Sequence, residues 1–152
     1  MNIRKALISD AKLLFDWVNE SNVRRNAINT NPIKWDDHLA WFQNKLHTEN
    51  SFVLIAEINN QPIGQIRFDF ENNKFLIDYS IAKNERGNGY GFLIVKEGIN
   101  YMKKNISKVK TYIAWVKSEN TASKRVFEKL GFYTKSSLYK EQTELIIYEL
   151  SL

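Results

Sequence analysis

The spacing of apolar residues changes twice along this chain, and each change marks a different kind of element. Residues 3–7 read as a first strand. Ser9 or Asp10 can cap a helix that follows, with Ala11, Leu14, Phe15 and Val18 at i, i+3, i+4 and i+7, one stripe of a 3.6-residue period. The polar segment 21–31 reads as a loop ending at Pro32. A second helix then carries Trp35, Leu39, Phe42 and Leu46 on one stripe. From there the period shortens to two. Residues 52–58 form a strand, Asn59-Asn60-Gln61 turn it, and 63–70 return with Ile66, Phe68 and Phe70 alternating with Gln65, Arg67 and Asp69. Asn72-Asn73 turn again into a strand at 75–81. A long amphipathic helix at 92–104, a strand at 109–116 and a short helix opened by Asn120 and closed by Gly131 come next. The short helix has Ala122, Val126 and Leu130 on one face. Strands at 132–139 and 143–150 make a final hairpin.

The resulting order, β-α-α-β-β-β-α-β-α-β-β, predicts an α/β (α+β) fold. It is a mixed, mostly antiparallel sheet of six to seven strands with four helices and a central parallel βαβ unit. The crossover from 75–81 through 92–104 to 109–116 should be right-handed. No repeat, linker or low-complexity run interrupts the chain. Its 152 residues suit one domain, able to bury about 70% of its unfolded surface.

The glycines carry the first chemical signal. In Arg86-Gly87-Asn88-Gly89-Tyr90-Gly91, three residues without a Cβ let the backbone take positive φ and approach a ligand just where a helix begins. The first N–H groups of a helix lack intrahelical acceptors and carry the positive end of its dipole. Such a turn is a cradle for a pyrophosphate, with Arg86 and Lys83 adding charge. An ordinary Asn-Gly loop would look similar. A Walker loop would need Gly-Lys-Ser or Gly-Lys-Thr where Tyr90-Gly91-Phe92 stand. A dinucleotide fingerprint would need glycine at Phe92 and a place on the first strand.

Together, two segments resemble a known family. Arg86-x-x-Gly89-x-Gly91, between a strand and a helix, looks like the acyl-CoA loop of the GNAT superfamily of N-acetyltransferases. Asn120-x-x-Ser123-x-x-x-Phe127-x-x-x-Gly131-Phe132 resembles that family's other signature. The resemblance implies acetyl-CoA as cosubstrate, bound by Ile81, Ala82, Lys83, Arg86, Gly87, Asn88, Gly89, Tyr90, Gly91, Asn120 and Ser123. In the family the two parallel strands splay and the pantetheine arm enters between them, where backbone groups at Ile81 and Ala82 could pair with its amides. Asn120 would look the same as a helix N-cap. One departure stands out: many members carry a tyrosine as general acid where this chain has Phe127, and a phenyl ring cannot donate a proton. Tyr139 or Tyr133 would have to substitute, unless water or the amine itself protonates the thiolate.

The implied chemistry is attack of a primary amine on the acetyl thioester, which a base assists by removing a proton. Asp78, out of phase with Phe75, Ile77 and Tyr79, is the first candidate base. Pairing with Arg67 is its plainer explanation, and Glu57 and Glu119 are weaker candidates. In the family the two early helices form the acceptor wall. There Arg24, Arg25 and Asn26 suit phosphate contacts, and His38 and Trp41 offer hydrogen bonding and stacking. From Asp16-Trp17-Val18-Asn19 to His38-Leu39-Ala40-Trp41-Phe42 the chain is similar to GNAT enzymes acting on nucleotide-linked amino sugars of pseudaminic-acid type. This implies acetylation of a 4-amino group on a nucleotide-linked deoxyhexose. A peptide or ribosomal-protein N-terminal acetyltransferase uses the same core, and a CoA-binding module without turnover is the alternative of another class.

Composition narrows the rest. The chain has no cysteine and only two histidines, His38 and His47. That removes disulfides, thiolate zinc sites and cysteine nucleophiles, and argues against a metal centre or a Ser-His-Asp triad. No apolar h-region follows Met1-Asn2-Ile3-Arg4-Lys5 and no run reaches transmembrane length, so a cytoplasmic protein with no membrane partner is expected. The net charge of +5 comes from scattered lysines. With no RNA-binding aromatic signature, an anionic cofactor or acceptor explains it better than nucleic acid. The C-terminal strands offer an edge for a homodimer.

Overall fold

The computed structural model describes residues 1–152. Seven strands form one sheet: β1 Asn2–Lys5, β2 Ser51–Ile58, β3 Gln61–Glu71, β4 Lys74–Ile81, β5 Thr111–Lys117, β6 Tyr133–Lys140 and β7 Thr143–Ser151, in spatial order β1-β2-β3-β4-β5-β7-β6. All neighbours are antiparallel except β4 and β5. This is the mixed sheet the period changes predict. The Asn59-Asn60 and Asn72-Asn73 turns have positive φ at both residues, the requirement of a two-residue hairpin that asparagine meets well. Glu141-Gln142 joins β6 to β7 in the same conformation with no such sequence mark.

Five helices accompany the sheet: α1 Ala11–Val18, α2 Ser21–Asn26, α3 Trp35–His47, α4 Tyr90–Asn105 and α5 Thr121–Lys129. The extra one is α2, which lies in the segment expected to be loop. No apolar stripe announces it. Instead Glu20, in extended conformation, accepts bonds from the N–H groups of Asn22 and Val23 and caps it. Asp10, expected to cap α1, instead accepts the N–H of Leu7 and a paired contact from Arg4.

The period of two sorts the sheet into faces. Val53 and Ile55 pack with Leu14 of α1 and Phe42 of α3. Leu54, Ile66, Phe68, Ile77 and Tyr112 join Ile94, Ile99 and Met102 of α4 and Phe127 of α5 in the larger core. Gly98 of α4 lies so close to β3 that a Cβ there would meet the Ile66 side chain at 2.9 Å. That contact seats α4 directly on the sheet and fixes where its first turn emerges. None of the helices is long and apolar enough to cross a membrane.

Candidate active site

The sheet opens at its centre. β4 follows β3 as far as Ile81 opposite Gly64, and β5 follows β7 as far as Lys117 opposite Leu145. Between them, however, β4 and β5 share only three pairs, ending at Ile77 opposite Ala114. Beyond that point they diverge. Alternate residues of a strand aim their N–H and C=O groups at opposite edges. Since Ala82 N–H donates to Ile63 C=O on the β3 side, the backbone groups of Ile81 and Tyr79 face the open edge. Unpaired backbone groups seek partners, so this edge suits an amide-bearing arm. Ala82 is a different case: its C=O also accepts the N–H of Glu85, so both its backbone groups are engaged.

A cavity of about 880 Å³ fills the wedge. Asp78, Tyr79, Ser80 and Ile81 line it from β4, and Trp115 and Val116 from β5. At one end stands the glycine turn. Gly87 (φ 82°) and Gly89 (φ 76°) are left-handed, and α4 starts immediately after with no side chain capping it. The free N–H groups and dipole of a long helix therefore face the cavity mouth. A Cβ on Gly87 or Gly89 would meet nothing within 4 Å, so their conformation is what requires glycine. Gly91 is helical and serves packing: a Cβ there would stand 3.3 Å from Val126 and 3.4 Å from the Tyr79 ring. Uncapped helix, open strand edge and cavity together fit a ligand with a pyrophosphate and an extended arm.

The other expected residues of this end divide. Arg86, Gly87, Gly89, Tyr90, Gly91, Asn120 and Ser123 line the cavity. Lys83 and Ala82 border a neighbouring depression of about 400 Å³, to which Arg86 also belongs. Asn88 points away, its Nδ2 donating to Glu85 C=O at 3.2 Å. Asn120 caps α5 by accepting the N–H of Ser123 at 3.2 Å. Arg86 is paired with Glu20, the capping residue of α2. That guanidinium holds the Glu20 carboxyl down to about 2. The charge expected to serve phosphate thus also clasps the glycine turn to the opposite wall.

That wall is made of side chains. Arg67 stands opposite Asp78 in the β3–β4 register. Its Nε donates to Asp69 at 2.7 Å, one terminal nitrogen lies 3.8 Å from Asp78, and its guanidinium lies 5.1 Å from the centre of the Trp41 ring. Burial works to protonate Asp69, but Arg67, Lys45 and Ser51 outweigh it and hold the carboxyl below its ordinary range. Asp78 is exposed to the cavity and accepts a bond from Gln65 Nε2 at 3.1 Å. Both the charge pairing and an open position facing the wedge are therefore present at Asp78.

Arg24 lines the cavity but spends donors on its own loop, reaching Val18, Asn29 and Asn31 carbonyls. Asn26 also lines it and is tied to Asn22 C=O. Arg25 is exposed outside the cavity lining, and only its carbonyl is used, by the buried ammonium of Lys117 at 2.7 Å. His38 is 3% exposed, its Nε2 3.0 Å from Ala11 C=O and its ring among Phe15, Trp35, Trp41 and Phe42. Burial pushes its pKa below the ordinary value. It shapes the wall as a neutral packed ring. Trp41 is partly exposed and lines the cavity.

The substitute proton donors named from sequence are misplaced. Tyr139 is 75% exposed on β6 and lines no part of the cavity, and Tyr133, also on that outer strand, donates to Glu149. Both lie on the far side of β7 from the wedge. Phe127 is buried at 2% exposure between Phe132, Tyr148 and Tyr79. Glu57 is bound to Arg4 at the start of the sheet, and neither it nor Glu119 lines the cavity. Glu20 and Lys117 escaped the sequence reading because their partners lie 66 and 92 positions away, and Arg67 entered it as a partner of Asp78 without its contacts to Asp69 and Trp41. Only the alternation of Arg67 with Ile66 and Phe68 hinted at its direction. No group of three or more His, Cys, Asp or Glu side chains is arranged to hold a metal ion.

Residues 1–133 match the family model of the acetyltransferase (GNAT) domain. No curated protein sequence matches the chain. Among solved structures, a ribosomal-protein-alanine N-acetyltransferase from Brucella melitensis superposes with a TM-score of 0.83 at 23% identity, over 100% of both chains. The spermidine N-acetyltransferase from Vibrio cholerae, in complex with CoA and spermine, gives 0.89 at 15% identity over 99% of this chain and 94% of that one. A putative acetyltransferase from Salmonella typhimurium with its cofactor acetyl-CoA gives 0.82 at 21%, covering 99% and 93%. At these identities the likeness is one of fold.

Proposed function

The chain belongs to the GNAT family of acetyltransferases, and we propose that it transfers the acetyl group of acetyl-CoA to a primary amine on a nucleotide-linked amino sugar. The observation that carries the cofactor half is the wedge itself: an open β4 edge leading from the uncapped, glycine-opened start of α4 into the cavity. Bound there, acetyl-CoA would supply an activated acetyl thioester. The turn Gly87–Gly89 and the first N–H groups of α4 hold its phosphates, and the backbone groups of Ile81 and Tyr79 pair with its amides. Asp78 accepts the proton of the attacking amine from the face of β4 that carries the acceptor wall; Gln65 Nε2 donates to that carboxylate and orients it, with the Arg67 charge 3.8 Å away.

The acceptor half rests on the composition of that wall. Arg24 and Arg67 supply guanidinium groups, and Trp41 and Trp115 supply aromatic faces, all within one cavity. Guanidinium suits a phosphate and an aromatic face suits a nucleobase; Asp37, Asp78 and Glu85 also line the cavity and would suit a polyamine, so the acceptor sets must be compared directly. The test is acetyl transfer from acetyl-CoA to three acceptor sets: nucleotide-linked 4-amino sugars, polyamines and peptide N-termini. Turnover confined to the nucleotide sugars is the expected result. Turnover confined to peptides would replace the acceptor reading and leave the cofactor reading intact.

A further inference from the structure

Phe127 leaves the family's usual proton donor missing, and the core around it shows what stands nearby. The Tyr79 ring meets the Phe127 ring edge to face, with centroids 5.8 Å apart. Its hydroxyl lies 2.9 Å from Ser123 Oγ, on the turn of α5 preceding Phe127. A Cβ on Gly91 would lie 3.6 Å from that same hydroxyl, which places it beneath the first turn of α4. Tyr79, Ser123, Gly91 and Phe127 all line the cavity. Of the chain's other tyrosines only Tyr90 also lines it, at the mouth where α4 begins; Tyr112 is sealed in the core and Tyr148 donates to Glu128.

We infer that Tyr79 is the general acid of this enzyme, its hydroxyl placed on the strand instead of on α5, with Ser123 as its partner. The inference rests on acetyl-CoA occupying the cavity. As the amine nitrogen forms its bond to the acetyl carbon and the carbon–sulfur bond breaks, Tyr79 gives its proton to the departing sulfur, yielding the free thiol. The phenolate recovers a proton from solvent through Ser123, and the proton lost by the amine leaves by way of Asp78. Adjacent residues of a strand point to opposite faces, so Asp78 and Tyr79 address the wedge from its two sides. Burial pushes the Tyr79 hydroxyl above its ordinary pKa, and Asp78 adds to this while the Ser123 bond opposes it. The group therefore keeps its proton at neutral pH, as a donor must.

The test compares wild type, Tyr79→Phe and Ser123→Ala for CoA affinity by calorimetry, for ionisation of the bound CoA thiol by ultraviolet difference titration, and for turnover. A hydroxyl donor favours the thiolate, so the bound thiol should ionise about one pH unit lower in wild type than in Tyr79→Phe. kcat should fall about a hundredfold in that variant with the Kd for CoA unchanged, and less in Ser123→Ala. Equal thiol ionisation in wild type and Tyr79→Phe, with CoA bound by both, would overturn the assignment while sparing the proposed reaction. Failure of wild type to bind CoA would overturn both. A purely structural bond between β4 and α5 would lower Tm alike in the two variants without moving the thiol.

Discussion

The two walls of the cavity are built from different parts of the polypeptide. The wall proposed for the cofactor is backbone: two left-handed glycines, the bare N-terminus of α4 and the unpaired edge of β4. The wall proposed for the acceptor is side chain: Arg67 between Asp69 and Asp78, Trp41 over it, and the short helix α2 pinned at both ends. Glu20 ties one end of α2 to Arg86, and Lys117 ties the other to the carbonyl of Arg25. A backbone site tolerates almost any side chain that keeps its glycines. A side-chain site can be retuned by single substitutions. The division suits an enzyme family whose cofactor stays fixed while its acceptors vary.

Substitutions can break this contrast on either side. The largest effect is expected at Gly89→Val. A Cβ there forces the turn out of its left-handed conformation and displaces the N–H groups it presents. Removing two charge-assisted hydrogen bonds to phosphate, at about 2 kcal/mol each, weakens acetyl-CoA binding about a thousandfold by calorimetry. Acceptor binding should hardly change. Asp78→Asn is next: kcat should drop about a hundredfold in steady-state assays with the acetyl-CoA Kd intact, and an unchanged kcat would remove Asp78 as base.

Lys117→Met keeps the volume but strands the Arg25 carbonyl and frees the C-terminal end of α2. A loss of about 1–3 kcal/mol in denaturant unfolding is expected, with KM for the acceptor raised about tenfold and KM for acetyl-CoA unmoved. Glu20→Gln should have the smallest effect, about 1 kcal/mol or less for a half-open ion pair. Its signature is pH dependence. The Glu20 carboxyl is depressed to about 2, so its contribution is full above its unfolded value near 4.5 and is lost as pH falls toward 2. The Tm gap between wild type and Glu20→Gln should therefore be present at pH 7 and close near pH 2.

The same contrast explains what could be read from the chain. Backbone sites leave local marks, because a left-handed φ or a two-residue turn selects glycine or asparagine at a fixed position. Gly87, Gly89, Asn59-Asn60 and Asn72-Asn73 all lie in the conformations their residue types suggest. The alternation in β3 likewise gave the faces of the sheet, because that period is local. Side-chain sites leave no such trace. Glu20 meets Arg86 across 66 positions and Lys117 meets Arg25 across 92, and α2 forms by capping and these tethers, so its polar sequence read as a loop. Tyr139 and Tyr79 are equally tyrosine in the sequence. Only the fold shows that Tyr139 is exposed on the outer strand while Tyr79 is a lining residue of the cavity with its hydroxyl bonded to Ser123.

The central claim is that the wedge and glycine turn bind acetyl-CoA, and thermal unfolding of the wild-type protein with and without it tests that claim most directly. Ligand at about 100 times its Kd stabilises by about 2.7 kcal/mol, which for a chain of this size raises Tm by about 5–10 °C. A rise of that size with acetyl-CoA, absent in Gly89→Val, is the predicted result. An unmoved Tm at saturating acetyl-CoA would contradict the account, leaving the turn before α4 as a connection and nothing more.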